Sequence, residues 1–385
     1  MLPSTRTLGN HRRSTVTRLS AAAAFLVLLA ACSHAAGPER VAASGATGPL
    51  IDPAQIVNGG PPPDGIPPID HPKFQAASQV RFLSPREPVI AIDVHGDARA
   101  YPVQILIWHE IVNDTVGGVP VTVTYCPLCN TGIAFRRPTV DGRLLDFGTS
   151  GKLYNSNLLM YDRETKSLWA QALGQAVVGP LSGMKLQMMP VQLVSWGDWL
   201  RANPQGEVLS RDTGFDRAYG ENPYVKYDAP GSRPFLFSGT PDPRLQPTAR
   251  VVGVQVGSDI EAFPYAALSA GEMGGWAVVE ASVGGRPLAV FWEAGTASAL
   301  DGQDIAASRD VGSTGVFDRE LNGQLLSFHL SGKGIVEDQT GSTWDILGRA
   351  VSGPLQGQSL DRILSIESFW FDWAAFHPNT RIYGQ

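Results

Sequence analysis

The chain repeats itself, and this constrains its fold more than any other feature. Val89-Ile90-Ala91-Ile92-Asp93-Val94, then Ala100-Tyr101-Pro102, returns as Val251-Val252-Gly253-Val254-Gln255-Val256, then Ala262-Phe263-Pro264. Val116-Gly117-Gly118 returns as Val283-Gly284-Gly285, and Gly179-Pro180-Leu181 as Gly353-Pro354-Leu355. Near the end of each copy, Trp196-Gly197-Asp198-Trp199 returns as Trp370-Phe371-Asp372-Trp373. Two copies are too few for a solenoid. The expectation is two tandem duplicated domains packed together, 64–212 and 250–385, joined by a Pro/Gly-rich linker at 213–249.

Each copy consists of short apolar runs between turn signals. With 42 Gly and 29 Pro in 385 residues, long helices are disfavoured. A hydrophobic share of 43% still supplies a large core and excludes wholesale disorder. The fold class expected is mainly β, an α+β arrangement with few short helices. Strands are read at 89–94, up to Tyr101, and at 119–125. Pro102 and Pro264 suit the first turn of short helices, and helical signal returns around 195–202 and 368–376. The tryptophan pairs occur in both copies and are read as core.

The N-terminus reads as an address. The first 31 residues hold Arg6, Arg12, Arg13 and Arg18 and no acid. The run Ala21 to Ala31 is too short to span a bilayer and reads as the apolar part of a signal peptide, 1–31. Leu29-Ala30-Ala31-Cys32 resembles the bacterial lipobox, which makes Cys32 the expected lipidation site. A lipid anchor would then hold the protein on the membrane, outside the cytoplasm, in the bacterial cell envelope. Residues 32–63 read as a disordered tether. Without the leader, the chain is acidic, and no nucleic-acid partner is expected.

Comparison of the copies separates chemistry from architecture. Thr124-Tyr125-Cys126-Pro127-Leu128-Cys129 corresponds to Phe291-Trp292-Glu293-Ala294-Gly295-Thr296, so the fold does not itself require Cys-x-x-Cys. Gly117-Gly118 signals a two-residue hairpin. That register pairs Val116 with Val119 and, continued outward, brings His109 opposite Cys126, about 4.5–5.5 Å away at Cβ. In the second copy the same register pairs Trp276 with Glu293. A protonated histidine beside a thiol favours the thiolate, and Cys-x-x-Cys is the format of thiol–disulfide exchange. Cys126, Cys129 and His109 are therefore the candidate catalytic residues, supported by Glu110, Asn113 and Tyr125.

The same three residues could instead bind a soft metal, copper or zinc, with Met160, Met184, Met188 and Met189 as possible thioether ligands. A structural disulfide within a non-catalytic binding module is the third alternative. Asn130 excludes the usual haem attachment motif. Phe147-Gly148-Thr149-Ser150-Gly151-Lys152 lacks the spacing of a phosphate loop. Asn155-Ser156-Asn157 and Tyr161-Asp162 have no counterpart in the second copy and are candidates for lining a pocket.

Asp64-Gly65-Ile66-Pro67, Trp108-His109-Glu110, Thr124-Tyr125-Cys126-Pro127-Leu128-Cys129, Phe147-Gly148-Thr149-Ser150-Gly151 and Ser167-Leu168-Trp169 with Gln171 together resemble domain-of-unknown-function family 3179, over roughly 64–385. The family name carries no biochemical function. Its members' usual title, "(seleno)protein", implies selenocysteine in place of a motif cysteine in some of them, which favours redox chemistry with a protein or small-molecule partner.

Overall fold

The computed structural model describes residues 48–385. The expected signal peptide, Cys32 and the first half of the expected tether lie outside the described residues. Among the described residues, no helix is long and apolar enough to cross a membrane.

The chain is mainly β with a few short helices, as expected. In the first half, alternation and β-branched content generate three larger antiparallel-rich sheets beside a two-stranded one at 139–144. One has the order 192–195, 88–94, 97–102, 207–209, 74–76. The second runs 187–189, 131–136, 119–126, 111–116 and carries the cysteines at the end of Val119–Cys126. The third runs 56–58, 147–154, 157–162, 168–170, 175–178. The second half has the orders 365–369, 250–256, 259–264, 381–382, then 276–283, 286–293, 313–318, then 328–331, 334–337, 343–344, 350–352. Segments that match in sequence thus occupy matching places in the sheets.

Val103–His109 and Tyr265–Ser269 follow Pro102 and Pro264, whose fixed φ starts each helix. Trp196–Ala202 and Trp370–Phe376 bury the tryptophan pairs. Ser195 caps the first of these, accepting the Asp198 amide proton at 3.1 Å.

The halves do not keep separate cores. Val89, Trp196 and Trp199 cluster with Phe291, Phe317 and Trp344, while Phe369 and Phe371 enter the cluster that holds Cys126 and Cys129. The described chain belongs to one compact unit. The expected linker also has another role. Within 213–249, Asn222 and Asp228 are buried, and Asp228 is paired with Arg250 and Arg309, both at 2.7 Å. A buried carboxylate needs such partners, so the second half pins the Pro/Gly-rich stretch at Asp228, while Tyr219 and Phe235 bond His109 and Ser156 of the first half; the stretch is a fixed strap touching both.

The end of the expected tether is ordered as well. Ile56–Asn58 pairs with Lys152–Tyr154, and the Gly59 amide donates to Gly151 O at 2.8 Å. The physical reason is edge satisfaction: strand Phe147–Tyr154 would otherwise leave a row of unpaired backbone groups.

Candidate functional site

The cysteines sit in a turn built by its own sequence. Cys126 forms the last strand pair, with Thr131. Pro127 then supplies a turn-ready φ. The Cys129 amide donates to Cys126 O at 3.2 Å, and Asn130, at φ 52°, to Pro127 O at 3.3 Å. Tyr125 holds that left-handed Asn130 in place, its hydroxyl donating to Oδ1 at 3.1 Å. Both cysteines are free thiols and both are buried.

Their surroundings are polar. The Asn155-Ser156 turn, with both residues at positive φ, turns its Ser156 carbonyl towards the sulfurs, 3.4 Å from Cys129 Sγ and 4.0 Å from Cys126 Sγ. Beneath the turn, Gln171 Nε2 donates to Thr124 Oγ1 at 2.9 Å and to Thr131 O at 3.0 Å. Asn157 Nδ2 donates to Gln171 Oε1 at 3.2 Å and to Asp372 Oδ1 at 3.1 Å. Ser368 and Thr131 donate to Asp372 Oδ2 at 2.7 and 3.3 Å. The Phe369 amide donates to Cys129 O at 2.8 Å, fastening the second half to the cysteine turn.

Electrostatics follow from this burial. Burial, the Cys126 thiol and the Asp372 carboxylate hold the Cys129 thiol well above the usual thiol range. Burial pushes Asp372 up to about 6, against the pull of its donors Ser368, Cys129, Asn157 and Thr131. On the strap, Tyr224 and Tyr227 are raised chiefly by burial, with Cys126 near both. The phenols of Tyr224 and Tyr227 therefore stay neutral beside the sulfurs.

His109 lies elsewhere, which corrects the expected pairing. The hairpin follows the expected register from Val116↔Val119 to Ile111↔Thr124 and ends there. Residues 103–109 instead form a helix, nearly all of it buried. A continuous apolar run suits either a buried strand or a buried helix, and Pro102 selects the helix. Glu110, at φ 60°, ends it, its amide donating to Leu106 O at 2.7 Å. Only Glu110 O, accepting from the Tyr125 amide at 2.8 Å, continues the ladder. In the second half Trp276 does pair with Glu293, because that helix ends at Ser269 and Gly274-Gly275 precede the strand.

The His109 ring is fully engaged away from the sulfurs. Nδ1 donates to Pro67 O at 2.6 Å, and Nε2 accepts from Tyr219 Oη at 2.6 Å; donor roles are assigned from the partners. Burial holds its pKa below the ordinary value, with the Arg217 charge adding to this. Among the described residues, no three His, Cys, Asp or Glu side chains are grouped to hold a metal ion.

The other expected residues divide. Tyr125 belongs to the cysteine turn. Glu110 is buried and pushed up to about 8, and its charge is felt at Tyr224. Asn113 serves the sheet contacts: Nδ2 donates to Asp70 Oδ1 and Phe147 O, both at 2.8 Å, and Oδ1 accepts from the Phe147 amide at 3.2 Å. Met160 pairs across strands with Trp169 in the core, and Met184, Met188 and Met189 pack at the core's margin. Tyr161 and Asp162 stand apart from the cysteines, donating to Asp64 and accepting from Trp169 respectively.

Sequence reasoning missed Asp372, Gln171, Tyr224 and Tyr227 as parts of the site. Asp372 recurs as Asp198, so it was read with the fold. Gln171 corresponds to Ile346, and Asn157 lies in a segment without a counterpart, so their restriction to the first copy was an available signal.

A pair of free thiols on one turn, walled by hydrogen-bonded polar groups in a mainly β chain, defines a buried dithiol protein. The family described as "Protein of unknown function (DUF3179)" matches residues 63–380, and the chain belongs to it. No curated protein matches the chain. No solved structure matches it either.

Proposed function

We propose that this protein is a thiol redox protein, anchored through lipidated Cys32 outside the cytoplasm, in which Cys126 and Cys129 cycle between dithiol and disulfide. The observation that carries the reading is the lining of the turn. A passive staple needs only packing, whereas these sulfurs face a carbonyl, a carboxylate and neutral phenols. Oxidation of the pair releases two protons and two electrons, the electrons passing to the disulfide of a protein or small-molecule partner. Cys126 is the attacking thiol and Cys129 the resolving one. Tyr224 and Tyr227 of the strap pack against the core cluster that holds both sulfurs, and the partner gains access when the strap gives way.

The reduction potential tests this. A couple less negative than about −300 mV is expected, since structural disulfides of secreted proteins lie below that. A more negative value, or a pair that fails to oxidise, overturns the reading. The soft-metal alternative loses support because His109 is engaged by Pro67 and Tyr219.

A further inference from the structure

We propose that Asp372, from the last helix of the chain, accepts the proton of Cys129 so that this sulfur can close the disulfide with Cys126. The inference rests on the redox reading above and assigns its missing base.

Geometry carries it. Cys129 is sealed from solvent and has its thiol directed at Ser156 O, an acceptor that cannot take the proton away. Asp372 is held on the same turn: the Thr131 hydroxyl lies 3.1 Å from Cys129 O and 3.3 Å from Asp372 Oδ2, and the carboxylate's charge is felt at the Cys129 thiol. Its two oxygens are oriented by Asn157 on one side and by Ser368 and Thr131 on the other. Those donors come from three different strands or strand ends, so the carboxylate is fixed whether or not the thiol donates to it.

The counterpart aspartate shows what the fold alone asks of this position. Asp198 is tied to Ser195 at 2.5 Å and to Arg201, and no sulfur lies at the matching turn, where Glu293 and Thr296 stand. An acid at this helix start is therefore architectural in both halves. Only in the first-half site does it meet a thiol.

The exchange conserves protons and electrons. Cys126 attacks one sulfur of a partner disulfide and forms a mixed disulfide, releasing the partner's first thiol. Asp372 then takes the Cys129 proton. The resulting Cys129 thiolate attacks Cys126 Sγ, the new sulfur–sulfur bond forms, and the mixed bond breaks. The departing partner thiolate recovers the proton from Asp372. The partner disulfide is reduced to two thiols and the protein dithiol is oxidised.

Tyr125 on the strand and Tyr224 and Tyr227 on the strap are all raised and remain neutral phenols. Glu110 titrates near 8 and is felt at Tyr224. The Asp372 step falls near 6, below that of Glu110.

The test uses the full chain carrying a mixed disulfide between Cys126 and 5-thio-2-nitrobenzoate, with release of the coloured thiolate read from pH 5 to 9. Closure in the unaltered protein is expected to rise through an apparent pKa near 6. Asp372→Asn is expected to slow closure at pH 7 by about 100-fold or more, and to leave a profile that rises only at alkaline pH. Glu110→Gln keeps the step near 6, and Asp198→Asn keeps both rate and profile. If Asp372→Asn does not fold, Ser368→Ala removes one donor from the same carboxylate and is expected to move the step upward. An unmoved rate and profile in Asp372→Asn, or an unmoved step in Ser368→Ala, overturns the inference. Failure of the unaltered protein to form or resolve the mixed disulfide overturns the redox reading itself.

Discussion

Ser156→Gly should change access to the sulfurs while leaving global stability nearly unchanged, because two local effects of similar size oppose each other. Ser156 occupies the left-handed region at φ 67°. For a residue with a Cβ this conformation costs roughly 1–2 kcal/mol, and glycine escapes the penalty. The Ser156 hydroxyl also donates to Phe235 O at 2.5 Å, holding the strap down beside Tyr227, whose hydroxyl accepts from the Phe235 amide at 3.1 Å. A hydrogen bond of this kind contributes about 1 kcal/mol net. Glycine removes strain and bond together, so the urea unfolding midpoint should move little. Opening of the strap, which feels the lost bond but not the turn strain, should become about fivefold more frequent, the equivalent of about 1 kcal/mol. Ser156→Ala supplies the comparison: it keeps the strain and loses the bond, so it should lower global stability by about 1 kcal/mol and give the same fivefold gain. The backbone carbonyl that faces the sulfurs persists in both. The assay is the rate of Cys126 and Cys129 modification by a small neutral maleimide, beside urea unfolding of the same samples. Unchanged modification rates in both variants would refute the gating role of the Ser156–Phe235 contact.

Three further outcomes are expected. His109→Phe should cost about 1–3 kcal/mol through the stranded Pro67 and Tyr219 groups, yet leave disulfide closure within about twofold, since its ring serves neither sulfur; a loss of closure in a folded variant would return His109 to the site. Glu367, Glu110 and Glu293 are pushed up by burial to about 7, about 8 and about 9, so their stabilising contribution is complete below the ordinary 4.5 and is lost as pH rises through 7 to 9. Thermal unfolding midpoints should therefore fall across that window, and Glu110→Gln should flatten the fall. His109 acts in the other direction: its lowered pKa gives stability that is present above the ordinary 6.5 and lost on acidification. Gln171→Leu strands Thr131 O behind the cysteine turn and should cost about 1–3 kcal/mol by denaturant unfolding, a loss that Gln171→Asn does not repair because of its shorter reach.

The hairpin holding the cysteines was legible because its information is local. Gly117-Gly118 fixes the turn, and alternating valines fix which face is buried, so the register from Val116↔Val119 outward followed from sequence. The helix at 103–109 was less legible. Its apolar run fits two backbones, and the choice depends on burial on all sides, a property of the neighbours. His109 moved with that choice. The strap at 213–249 was read as a linker because its Gly and Pro content looks the same whether the chain is free or fixed. Asp228 reveals the difference only once Arg250 and Arg309 are found beside it.

By itself the sequence determined the β-rich class, the repeated order of segments, and the restriction of the thiols to the first copy. Each of these depends on residues a few positions apart or on comparison of one copy with the other. Tertiary structure alone decided which acid meets the thiols. Asp372 lies over 240 residues from Cys129, and its meeting with that sulfur depends on the docking of strand Ser365–Phe369 against the cysteine sheet. A short-range pattern cannot encode that contact, because it results from the closing of a shared core.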